Sequence, residues 1–123
     1  DAIKTLVEND IPIVVTPGRE LRYGHIRDVA NYPFQALLEH GLKIIFSSGM
    51  PRMYGSSLVD EYLMAVEDGN LTLEQLREIA SNAVEYSLLP EMEKADLYSQ
   101  FQQEYLELEA AHLSESTEPE EAE

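Results

Sequence analysis

The chain contains no cysteine and no tryptophan, and only eight of its 123 residues are basic. Without cysteine there is no disulfide framework, no thiolate nucleophile and no sulfur-ligated zinc. That fits a reducing compartment and favours a cytoplasmic setting. No apolar run approaches the roughly 18 residues of a membrane span, and the N-terminus has no signal-peptide pattern. A soluble chain with no membrane partner is expected. The few bases face 24 acids, for a formal net charge of -16. A field of that sign repels phosphate backbones, which argues against nucleic acid as a partner.

What is present suffices for one domain of ordinary size, since 44% of the residues are apolar. The charge is unevenly spread. Lys94 is the last basic residue and nine acids follow it. Residues 114–123 hold nothing large enough to anchor a core, so a structured domain over 1–112 and a disordered acidic tail over 113–123 are expected.

Residues 1–8 place Ile3, Leu6 and Val7 on one helical face, as the end of a longer helix would. Ile-Pro-Ile-Val-Val-Thr at 11–16 reads as a strand buried on both faces, with Pro12 at its start, where no ladder donor is needed. Pro17-Gly18 then breaks the strand, and a polar loop runs to Asn31. Tyr32-Pro33 opens a helix with Phe34, Leu37 and Leu38 on its apolar face and Gly41 beyond its end. A second strand follows at 42–48. Strand, loop, helix and strand make one parallel βαβ unit with a right-handed crossover. Three helices are expected after it. The first is capped by Ser56 or Ser57 and carries Leu58, Tyr62 and Val66. The second starts at a Thr72–Gln75 capping box and carries Leu73, Leu76, Ile79, Ala80, Ala83 and Val84. The third starts at Pro90 with a stripe of Leu97, Phe101 and Leu108 and frays near Leu113. Two parallel strands alone make a very small sheet, and both are apolar throughout, as inner strands are. The pattern reads as a piece of a larger sheet.

The loop after the second strand, Ser-Ser-Gly-Met-Pro-Arg-Met-Tyr-Gly-Ser-Ser-Leu-Val-Asp-Glu-Tyr at 47–62, lies where α/β folds place their chemistry. It resembles the signature loop of the adenosine deaminase family, Ser-Asp-Asp-Pro followed by an aromatic, a small residue and Leu-x-x-Glu-Tyr. The 11–17 run resembles the family's strand-seven motif. Tyr32-Pro33-Phe34 with Leu37-Leu38 and Gly41-Leu42 resembles the run before strand eight. Leu71-Thr72-Leu73-Glu74-Gln75-Leu76, Asn82-Ala83, Ser87-Leu88-Leu89-Pro90 and Glu93-Lys94 extend the likeness to roughly residues 3–106. The resemblance implies a partial (β/α)8 barrel, its last two strands followed by helices, from a zinc-dependent hydrolase that deaminates adenosine or a related purine. In that family zinc is held by histidines of earlier strands and by the first Asp of the pair, while the second Asp hydrogen-bonds the purine. Here those two positions are Gly49 and Met50, the candidate substrate-binding residues. Glycine offers no ligand and methionine only a thioether. The family's Ser-Asn after strand seven is Arg19-Glu20, and its His before the helix proline is Tyr32. The expectation is a chain with no catalytic residue and no metal ligand of its own, inactive alone. The alternative is a non-catalytic pseudoenzyme fragment that self-associates or binds a missing barrel half.

Other groups carry weaker signals. His25, His40 and His112 lie too far apart in sequence to suggest a metal site, although His25 falls in a loop after a strand end. Asp60-Glu61 reads as a first-turn acid beside a solvated one, since neighbours on a helix do not share a face. Met50, Met53 and Tyr54 could line a pocket or cap the barrel. Ser47, Ser48, Ser56 and Ser57 have no base nearby to activate them.

Overall fold

The computed structural model describes residues 1–113. The acidic tail expected beyond them lies outside the described residues. Asp1 accepts a hydrogen bond from the Ile3 N–H and caps helix α1 (Ala2–Glu8). The chain turns at Asp10 and enters strand β1 (Ile13–Val15) directly after Pro12, as the missing proline donor requires. Strand β2 (Ile44–Phe46) pairs with it in parallel, with Ile13 opposite Ile44 and Val15 opposite Phe46.

The connection between the strands departs from the expected loop. The strand ends before Pro17 as expected, but no loop follows it directly. Pro17 occupies the first turn of helix α2 (Pro17–Arg22), where its fixed φ is already helical and its lost N–H would have had no partner. A 3-10 turn (Val29–Asn31) and helix α3 (Phe34–Glu39) complete the crossover, with Pro33 at the N-cap of α3. The same device recurs after β2, where Pro51 opens the one-turn helix α4 (Pro51–Tyr54). Among the described residues four helices therefore follow the βαβ unit, not three: α4, α5 (Leu58–Glu67), α6 (Leu73–Glu85) and α7 (Glu91–His112). The described residues make a mostly helical α/β fold with two parallel strands.

The core joins Val15, Ile44 and Phe46 of the strands to Phe34, Ala65, Leu71, Leu76 and Ile79. Phe46 meets Phe34 and Tyr62 edge-on, with ring centres 5.8 and 4.9 Å apart, the geometry that aromatic quadrupoles prefer. Gly69 lets α5 end against this cluster, since a Cβ there would lie 2.7 Å from the Phe34 ring. Ser57 and Thr72 cap α5 and α6 with full capping boxes.

Two helices bury other faces than expected. On α5, Leu58 and Val66 are exposed, and Glu61 and Ala65 are buried. On α6, Leu73 is exposed, while Asn82 joins Leu76, Ile79 and Val84 inside. The Asn82 side-chain amide donates to the Ile44 carbonyl at 3.0 Å. Lys43 and Ser47 bond toward β1, so strand alternation turns the Ile44 carbonyl to the other margin of β2. Asn82 thus answers a backbone acceptor that the ladder leaves over.

The chain divides into two compact units, residues 1–86 and the segment from Ser87 onward. The second is built on α7, which Pro90 opens and which ends at His112. Its half-buried stripe runs Leu97, Phe101 and Tyr105, with Leu108 exposed instead.

Candidate functional site

Parallel pairing ends β1 and β2 side by side, so the loops at 16–32 and 47–57 rise from the same end of the sheet. Gly49 stands between them with φ at +59°, a left-handed conformation that costs glycine little. Its N–H donates to Ser47 Oγ at 3.0 Å. A Cβ at this position would sit 3.5 Å from both the Thr16 methyl and the Tyr54 ring. Met50 precedes α4, and its carbonyl accepts from the Met53 and Tyr54 N–H groups. The Met50 and Met53 side chains are 52% and 64% exposed, so they do not cap the core.

Tyr54 is the centre of this end. Its buried ring meets Tyr23 edge-on at 5.8 Å, and the two hydroxyls are 2.9 Å apart. That hydrogen bond pushes the Tyr54 hydroxyl above its ordinary pKa. Its carbonyl accepts from Arg22 Nη2 at 2.6 Å, tying α4 to α2. Beside it, Glu20 accepts from His25 Nδ1 at 2.7 Å and from Arg19 Nε and Nη2 at 3.0 and 2.8 Å. The His25 bond first, and the Arg19 bonds second, hold Glu20 below the usual carboxylate range.

A second clasp lies deeper. Glu61 has no exposed surface. Its carboxylate accepts from the Gly18 N–H at 2.8 Å and from Ser56 Oγ at 3.0 Å. The solvated role expected for it is therefore overturned, because a buried carboxylate is tolerable only where donors replace its water. Its neighbour Asp60 takes the expected first-turn place in the Ser57 capping box, whose bonds lower its pKa. Gly18 is fitted to this carboxylate, as a Cβ there would fall 2.6 Å from Oε1.

The fold brings Gly49, Met50, Met53, Tyr54, Arg19, Glu20 and His25 to one end of the sheet. Tyr32 packs its ring 4.6 Å from Phe34 at the core, where burial raises its pKa, while its hydroxyl still feels the charges of Glu20 and Arg19. His40 caps α3, with Nδ1 on the Ala36 carbonyl, and His112 lies in the last turn of α7. Sequence reasoning read Glu61, the glutamate of the Leu-x-x-Glu-Tyr signature, as solvated, and it missed Arg22 and the Tyr23–Tyr54 pair. Only Glu61 left a trace, four residues before Ala65 and so on its face of α5. Positions 49 and 50 offer zinc neither an oxygen nor a nitrogen side-chain donor. Among the described residues no group of three or more His, Cys, Asp or Glu could hold a metal ion. This donor set does not fit a zinc site.

The fold is similar to that of a solved adenine deaminase from Arthrobacter aurescens, with a TM-score of 0.79 and 22% identity, over 84% of this chain and 32% of that one. In sequence, the chain is 26% identical to an adenine deaminase of Rhodospirillum rubrum over 79% of its length, which is 29% of that protein. It is 28% identical to an adenosine deaminase of Escherichia coli over 75% of its length, 28% of the relative. It therefore spans less than a third of the curated relatives it matches. The adenosine deaminase family model matches residues 2–104, and this chain belongs to the adenosine deaminase family.

Proposed function

We propose that the chain supplies the last two strands of an adenosine deaminase type of barrel and does not by itself carry out deamination. The observation behind this is the strand-end loop itself, which keeps its strand, its proline and its capped helix while Gly49 and Met50 stand where the family resemblance puts an Asp pair. The parent activity on this reading is hydrolytic removal of the amine from adenosine or adenine, the purines for which the relatives are named. Its zinc-bound water and its remaining ligands belong to strands that this span does not contain. Incubating the purified chain with adenosine or adenine, with and without zinc, is expected to release no ammonia. Ammonia release that a chelator abolishes would overturn the reading.

The alternative, a non-catalytic interaction module, draws on exposed apolar side chains. Val14 of β1 is 62% exposed, and Val59 and Leu63 stand one helical turn apart on the outside of α5. A barrel half or a second copy would cover such surface. Light scattering separates the cases, since a chain that stays monomeric at high concentration counts against this alternative.

A further inference from the structure

Helix α7 carries an apolar stripe whose surroundings are of one sign. Phe101, Tyr105 and Leu108 share a face, since residues three and four apart are neighbours on a helix. Together with Glu104 they line a groove of about 270 Å³. Leu108 is 56% exposed, and Leu97 and Tyr98 extend the same face one turn back.

The rim of this groove is acidic. Glu104 lines it, and the Glu104 carboxylate has no ion-pair partner among the described residues. Glu109 lies one turn beyond Tyr105, in the last turn of α7, where the macrodipole disfavours an acid. The one Lys or Arg of the helix, Lys94, is already held by Glu91 at 3.2 Å. No base follows Lys94 in the sequence, whereas nine acids do.

That sign selects the occupant. A second copy of the chain would bring its own acids against these, and nucleic acid or an anionic lipid surface would be repelled as well. A helix with Lys and Arg along one face and apolar side chains along the other suits both the groove and its rim. We infer that α7 is a docking surface for a basic amphipathic helix of a partner protein, with apolar side chains on Phe101, Tyr105 and Leu108 and cations at Glu104 and Glu109. Nothing in this surface depends on the strand-end loops or on deamination.

Calorimetric titration of the 123-residue chain with synthetic peptides tests this. The probes are a helical Leu/Lys amphipath, a Leu/Glu amphipath with the same apolar face, and a scrambled Leu/Lys peptide of equal composition. The Leu/Lys amphipath should bind saturably, about tenfold more tightly than the scrambled peptide, and should weaken as salt is added. The Leu/Glu amphipath should not bind. Leu108→Ser and Glu104→Lys should each weaken the Leu/Lys amphipath about fivefold. Leu106→Ser should leave it unchanged, because Leu106 is equally exposed but about 200° round the helix from Leu108. All three side chains are exposed, so the helix should survive each change, as circular dichroism can verify. No saturable binding, equal affinity for the scrambled peptide, binding of the Leu/Glu amphipath, or equal losses at Leu106 and Leu108 would overturn the inference. So would a dimer in light scattering that Leu108→Ser dissolves, since the groove would then belong to a second copy.

Discussion

Glu61 shows how one side chain sets the position of two loops. Its carboxylate holds the first residues of α2 against the cap of α5, 43 positions along the chain from Gly18. Glu61→Ala would leave both donors without a partner and should cost about 3 kcal/mol in urea unfolding. Gly18→Ala should cost about 2 kcal/mol, because its methyl meets the carboxylate. Both changes act on one contact, so the double variant should lose clearly less than the sum of the two. A second residue-scale case is Tyr86, whose hydroxyl donates to Asp10 Oδ1 at 2.5 Å and whose pKa that bond pushes up to about 12. An unfolded tyrosine titrates near 10. The proton is therefore held more tightly in the fold, so the contribution is complete below about pH 10 and is lost as pH rises toward 12. Tyr86→Phe should remove that loss from an alkaline unfolding series. Glu20 runs the other way. Its depressed pKa gives stability that is present above the ordinary carboxylate range and fades as pH falls through the lowered value.

At the scale of elements, caps and prolines decide most boundaries. Thr72 accepts from the Gln75 N–H at 3.2 Å, and the Gln75 side chain accepts from the Thr72 N–H at 3.0 Å. Thr72→Ala should therefore cost about 1 kcal/mol, read as a lower thermal midpoint with an unchanged fold. This box was legible in the sequence, as were the two β-branched runs and the start of α7 at Pro90, because each depends on neighbours within a few residues. Helices α2 and α4 were not. Proline after a strand serves both as a breaker and as a first helical residue, and at Pro17 and Pro51 it also opens a helix where only a loop was expected. The phase of α5 was illegible for a different reason. A glutamate reads as solvent-facing until its donors are known, and those on Gly18 and Ser56 come from the fold. The strand-end loop could be placed from sequence, but the links among Arg22, Tyr23 and Tyr54 span 31 and 32 residues and leave no local pattern.

For the whole molecule, the exposed face of β1 matters most. Val14→Lys should leave the monomer's stability nearly unchanged, since the side chain is already in water, and should reduce any self-association seen by light scattering. The β2 margin carries its own device. There the Asn82 amide donates to the Ile44 carbonyl, which keeps a second lone pair. One buried amide thus shields an open sheet edge without sealing it, and a neighbouring strand of the proposed barrel can still be received there.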